Sequence, residues 1–199
     1  MAIRPGRCYR KIKRPYTRQS QRKPKKGYIK GVPGSKLQTF EMGKPKDSYT
    51  LKVSLVSTQH VQIRHNALEA ARVASNKSLT DSVGQENFYM KVMVFPHHVL
   101  RENAMATGAG ADRYQSGMRL SFGRPVGVAA QVKVNQKLFS VQSIPGKYTE
   151  IKRAFKIAMS KLPVPCNVVV EKPIVSGKAV IVEKAIVSGE TVVEKAVGA

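Results

Sequence analysis

The stretch TEIKRAFKIAMSKL, residues 149–162, decides the fold. Ile151, Ala154, Phe155, Ala158 and Leu162 recur at spacings of three and four, while Lys152, Arg153, Lys156 and Lys161 fall largely on other faces. A single apolar stripe on a 3.6-residue period predicts an amphipathic helix that buries one side. Pro163 and Pro165 close it, because neither can continue the helical hydrogen-bond ladder. The neighbouring segments supply what the helix packs on. CNVVVEK (166–172) reads as a strand, and VGVAAQVKV (126–134) with KLFSVQSI (137–144) reads as a hairpin turning about Asn135 and Gln136.

Further out the same periods recur. SYTLKVSLVS (48–57) alternates, with Tyr49, Leu51, Val53 and Leu55 on one face, and predicts a strand. IRHNALEAARVASNKSL (63–79) predicts a second helix, capped by Asn66 with Glu69 as its reciprocal partner; Ala67, Leu68, Ala71, Ala74 and Leu79 form a modest apolar face. NFYMKVMVFPHHVL (87–100) is apolar on both faces, the pattern of a central strand. The order strand, helix, strand, glycine-rich loop, two strands, helix, strand predicts an α+β fold, with two helices packed on a mixed, mainly antiparallel sheet.

Charge narrows the function. The 199 residues carry 35 Lys and Arg against 12 Asp and Glu, a net +23, with 42% hydrophobic residues. The chain therefore has enough apolar content for a core, and its charge calls for a polyanionic partner, nucleic acid before membrane. No run of 18 apolar residues, signal peptide or lipidation motif is present, so the expectation is a soluble, intracellular protein without a membrane partner. The excess sits at the amino-terminal end: residues 1–46 hold 15 basic groups and one acid, whereas residues 166–199 hold four of each. In RPGRCYRKIKRPYTRQSQRKPKKGYIKGVPG (4–34) prolines and glycines interrupt regular structure, and Tyr9, Tyr16 and Tyr28 interleave with the cations. An extended arm of this composition meets phosphates with Arg and Lys and stacks tyrosines on bases. The division expected is a basic arm over 1–46, a core domain over 47–172 with a functional loop at 103–125, and a tail over 173–199. In that tail IVSGKAVIVEKA (174–185) is echoed by IVSGETVVEKAV (186–197), a near-repeat of period 12 too short for a solenoid.

Catalytic patterns fail one by one. GAGADR begins like a dinucleotide fingerprint, but Arg113 stands where the third glycine belongs, and no Walker lysine follows. Cys8 and Cys166 lack a CxxC partner, which disfavours zinc, and Cys166 reads as a small buried residue in a strand. His97 and His98 point to opposite faces of a strand, and no paired carboxylates or nucleophile and base stand together. The reading is a protein that is not an enzyme and uses no cofactor or metal.

Four blocks then carry a resemblance: RPGRCYR (4–10), IRHNALEAAR (63–72), PHHVLREN (96–103) and GAGADRYQSGMRLSFGRPVG (108–127). Together they resemble the universal large-subunit ribosomal protein family called L-sixteen in bacteria and L-ten-e in archaea and eukaryotes, and the archaeal branch most. The insertion QSQRKPKKGY (19–28) and the period-12 tail depart from the family pattern. The resemblance implies an α+β domain with a β-hammerhead element. It also implies binding to large-subunit rRNA among neighbouring ribosomal proteins in the cytoplasm, and a loop directed towards the tRNA cleft near the peptidyl-transferase centre. In the eukaryotic branch that loop also serves late subunit maturation. The candidate RNA contacts are Arg4, Arg7, Tyr9, Arg10, Lys11, Lys13, Arg14, Arg18, Arg64, His65, His98, Arg101, Arg113, Tyr114, Gln115, Arg119 and Arg124; Met105, Gly108, Gly110, Asp112, Arg113 and Met118 mark the tRNA-site loop. Its glycines let backbone approach nucleic acid while arginines supply charge. A second reading uses the same basic surface in a free RNA-binding regulator or chaperone outside the ribosome.

Overall fold

The protein is described by a computed structural model that covers residues 4–12, 27–106, 108–114 and 117–171, with Asp112 described by its backbone alone. In chain order these form α1 (Arg7–Arg10), β1 (Glu41–Gly43), β2 (Leu51–Ser57), β3 (Val61–Arg64), α2 (His65–Val83), β4 (Phe88–Val92), β5 (His98–Glu102), β6 (Arg124–Val132), β7 (Lys137–Ser143), α3 (Tyr148–Lys161) and β8 (Cys166–Glu171). The fold is α+β, and its strands divide between two sheets, β1-β4-β7-β2-β8 and β3-β6-β5. Every described pairing is antiparallel.

The stripe on α3 does what its spacing requires. Ile151, Ala154, Phe155 and Ala158 are wholly buried, and Lys152, Arg153 and Lys156 are exposed. α3 packs beside α2, which contributes Leu68, Ala71, Leu79 and Val83 to the same core. Alanines on both helices allow their close approach. The five-stranded sheet meets them with a register that stacks Val53 beside Val141 and Leu55 beside Phe139, while Met90 and Val92 flank Val141 and Phe139 from the other side. Leu37 and Met42 also join this core, so packing begins ahead of residue 47.

Three local expectations change. The capping box at Asn66 and Glu69 does not form: α2 begins at His65, which places Asn66 inside the first turn, and no side chain caps the helix. Glu69 instead accepts two hydrogen bonds from the Arg72 guanidinium, 2.5 and 2.8 Å long. The apolar run at 87–100 is two strands in two sheets. β4 buries Phe88, Met90 and Val92 on one face and exposes Lys91 on the other; the chain then crosses through Pro96 into β5. Nor is β6–β7 a hairpin. The chain turns at Lys133–Gln136, where Asn135 takes φ 60, but β6 pairs with β3 and β5 while β7 pairs with β2 and β4. A period-2 pattern reports which face is buried, not which strand lies alongside.

Candidate nucleic-acid interface

The three-stranded sheet carries the basic amino-terminal segment on one side and the glycine-rich loop at one end. The segment is not extended throughout: Arg7–Arg10 make one helical turn, held by N–H bonds from Cys8 to Pro5 and from Tyr9 to Gly6. Glu102, at the end of β5, anchors it. The Tyr9 hydroxyl donates to Glu102 Oε2 at 2.6 Å, and the Arg4 guanidinium pairs with Oε1. Gln62 on β3 donates to the Tyr9 carbonyl at 3.0 Å, and Arg64 donates to the Arg4 carbonyl at 2.8 Å while lying 5.3 Å from the centre of the Tyr9 ring. Burial, then the bond to Glu102, pushes the Tyr9 hydroxyl up to about 12. The hydrogen bond from Tyr9 and the ion pair with Arg4 hold the Glu102 carboxyl below its ordinary range.

The sign of that shift gives a test. A carboxylate with a depressed folded value stabilises above its ordinary pKa of about 4.3, and the contribution is lost as pH falls through the depressed value. Docking of residues 4–10 is therefore expected to persist through neutral pH and to loosen in acid, with the Tyr9 ring resonance as the readout. Glu102→Gln is expected to loosen the segment already at neutral pH, seen as faster tryptic cleavage after Arg7 and Arg10; unchanged cleavage would remove Glu102 from this role.

Beyond Glu102 the loop runs from Asn103 to Gly123. Its neck is narrow. A Cβ at Gly123 would stand 2.3 Å from the Glu102 carbonyl carbon and 2.6 Å from the Asn103 nitrogen, so only glycine lets the two ends pass. Arg101 braces the neck by donating to the Gly123 carbonyl at 3.1 Å, and its guanidinium lies 4.4 Å from the Phe122 ring centre. Within the loop a 3-10 turn at Ala111–Arg113 presents Arg113 and Tyr114 outward. Tyr114 is 87% exposed and Leu120 is 93% exposed, with Met118 and Phe122 also in solvent. Large apolar side chains exposed to solvent beside Arg113 and Arg119 form a surface suited to stacking and phosphate contact.

The expected contacts therefore separate into groups. Arg4, Tyr9, Arg64, Arg101 and Arg124 gather around the three-stranded sheet, and Arg113, Tyr114 and Arg119 stand on the loop with Met105, Gly108, Gly110 and Met118. Arg7, Arg10 and Lys11 face solvent along the amino-terminal turn. Lys13, Arg14, Arg18, Gln115 and the period-12 tail lie outside the described residues. His98 and His65 are buried at 6% and 8% exposure, and burial leads the causes that lower both their pKa values. Sequence reasoning missed Glu102 and Gly123. The sole acid in PHHVLREN was a signal for the first; a glycine required by close backbone approach leaves no local signal.

Among the described residues no cluster of His, Cys, Asp or Glu could hold a metal, and no helix is long and apolar enough to cross a membrane. Cys166 is half-buried in β8, and burial pushes its thiol up to about 11. Fold and site define a basic α+β protein that presents an arginine-rich loop and a cationic sheet face. Residues 14–169 match the family model of ribosomal protein L16p/L10e, and the chain belongs to that family. It is 45% identical over 172 residues to large ribosomal subunit protein uL16 of Archaeoglobus fulgidus, covering 86% of this chain and 95% of the relative. The protein of the same name from Methanoculleus marisnigri is 46% identical, with 86% and 98% covered, and that from Metallosphaera sedula is 49% identical, with 85% and 95% covered.

Proposed function

We propose that the chain is a structural, non-enzymatic component of the large ribosomal subunit in the cytoplasm. It binds rRNA, packs among neighbouring ribosomal proteins and helps to organise the tRNA site. Membership of the L16p/L10e family across residues 14–169 carries this reading, and relatives named as large ribosomal subunit proteins match the chain over nearly their whole length. The amino-terminal segment and the three-stranded sheet form the rRNA side. Arg4, Arg7, Arg10 and Lys11 contact phosphates there, continued by Lys13, Arg14 and Arg18. The loop at 103–125 forms the tRNA side. A guanidinium bridges phosphate oxygens as an ammonium cannot, so Arg113, Arg119 and Arg124 hold backbone while Tyr114 stacks and Gln115 adds a hydrogen bond.

Co-sedimentation with the large subunit after a high-salt wash tests the assignment. A built-in component stays; a free RNA-binding regulator held by charge alone leaves, because its affinity falls steeply with salt. The loop has its own test. Subunits carrying Arg113→Ala and Arg119→Ala are expected to assemble and to bind tRNA more weakly, while peptide-bond formation with saturating minimal substrates is kept. Normal tRNA binding with abolished peptide transfer would assign the loop a chemical role instead.

A further inference from the structure

The face of the five-stranded sheet turned away from α2 and α3 holds a cavity of about 200 Å³, edged by Lys52, Tyr89, Lys91, Met93 and Lys137. We propose that this cavity takes a carboxylate side chain of a neighbouring protein, whose adjoining apolar residue packs on Met93 and Phe95. The proposal rests on the ribosomal reading above and gives protein a face of its own, apart from the segment, sheet and loop assigned to RNA.

Register assembles the face. Across β4, β7, β2 and β8, Lys91, Ser140, Ser54 and Val169 form one row, and Tyr89, Gln142, Lys52 and Glu171 form the next. Met90, Val141 and Val53 alternate with them and enter the core with both helices, so the two rows face outward. Glu41 on β1 lies across from Lys91.

The charge of this face decides the partner. Lys91 Nζ donates to Glu41 at 2.6 Å, while Lys137 and Lys52 pair with Glu171 at 2.6 and 3.2 Å. Bonds from Lys91 and then Tyr89 hold the Glu41 carboxyl below its ordinary range. Burial alone would raise that of Glu171, but bonds from Lys137, Ser54 and Lys52 together hold it low as well. Three ammonium groups therefore stand against two carboxylates, and one further carboxylate balances the set. A run of phosphates does not. Each phosphate after the first sets another negative charge beside Glu41 and Glu171, and lysines already paired release few of the counterions that drive RNA binding.

Apolar surface adjoins the cavity. Along the chain leaving β4, Lys91, Met93 and Phe95 point outward and Val92 and Val94 inward. Met93 is 46% exposed and Phe95 is 61% exposed, the latter fixed by stacking on Phe40 with 5.5 Å between ring centres. A fixed aromatic ring and a thioether beside a polar contact match the anatomy of a protein interface, where apolar anchors carry most of the energy.

The test uses large subunits that carry the full chain, treated with a water-soluble carbodiimide, which joins touching carboxylates and amines as amides. Peptide mass spectrometry is expected to find Lys52, Lys91 or Lys137 joined to an Asp or Glu of another subunit protein, with the internal Lys91–Glu41 amide as the control. Phe95→Ser is expected to lower the intermolecular yield about tenfold, as truncation of an interface aromatic does. Met93→Ser, which leaves the Phe40–Phe95 stack in place, is expected to lower it too. Amides confined to this chain overturn the proposal and leave the ribosomal reading standing; ultraviolet cross-linking of Phe95 to rRNA in that case gives the face to RNA. Intermolecular amides undiminished in both variants overturn the apolar anchor. A chain that leaves the subunit in the high-salt wash overturns the ribosomal reading and this contact with it.

Discussion

Phe155→Ala is expected to destabilise the fold by about 3–5 kcal/mol. The ring is wholly buried at the centre of α3, between Ile151 and Ala158, where α3 meets α2 and the five-stranded sheet. Removing it takes away the burial of an aromatic ring and leaves a void that neighbours on three elements cannot close together, since each is pinned by its own hydrogen bonds. For a domain of this size the loss corresponds to a fall in melting temperature of roughly 6–20 °C. The alanine itself favours the helix slightly, so the sign is set by packing alone. Thermal unfolding of the purified protein reads the effect. A variant that melts with the parent would mean that α3 does not bury this face.

Gly123→Ala is expected to act on the loop more than on the core. The added methyl would overlap the Glu102 carbonyl carbon and the Asn103 nitrogen at 2.3 and 2.6 Å, and backbone, unlike a side-chain tip, has no rotamer by which to yield. The neck must open by an ångström or so, at an overpacking cost of about 1–3 kcal/mol. It parts Glu102 from Arg124 and withdraws the Gly123 carbonyl from Arg101. Everything beyond the neck then points elsewhere. Misplacement by about 1 Å can cost on the order of 10²-fold where geometry must be held, and under the proposed role of the loop a loss of that order is expected in tRNA binding by subunits carrying the variant. The core should melt nearly as the parent does, because α2, α3 and the five-stranded sheet lie outside the neck. Unaltered tRNA binding would overturn either the placing of the loop by its own root or its proposed tRNA role. Glu102→Gln serves as the contrast, since it frees the amino-terminal turn without adding an atom to the neck.

Much of this was legible in order along the chain. The stripe on α3, the strands at 51–57 and 166–171 and the loop between two strands are local patterns, because a helix or strand records in its own residues which side it buries. The basic segment and loop were legible for a similar reason: charge that finds no carboxylate nearby is visible in composition. The family resemblance added an expected role for the loop, and the matched region and the relatives bear out the membership.

What the tertiary structure alone decided is which local patterns meet. Two adjacent strands joined by a tight turn, β6 and β7, went to different sheets, and a single apolar run divided at residues 93–97 between β4 and β5. Each strand pairs where its buried face continues a neighbour's, a condition on residues far apart in sequence. The site depends on the same long-range meetings. Glu102 holds Tyr9 from 93 residues away, and the Lys36 N–H sets the tautomer of His65 from 29 residues away. Residue type determined that this protein would be a basic α+β chain with an arginine loop. Only the folded backbone determined that one acid would anchor its amino-terminal segment, that one glycine would hold the loop's neck, and that a backbone N–H would meet a buried histidine, because distance and direction between remote residues are written in no local pattern.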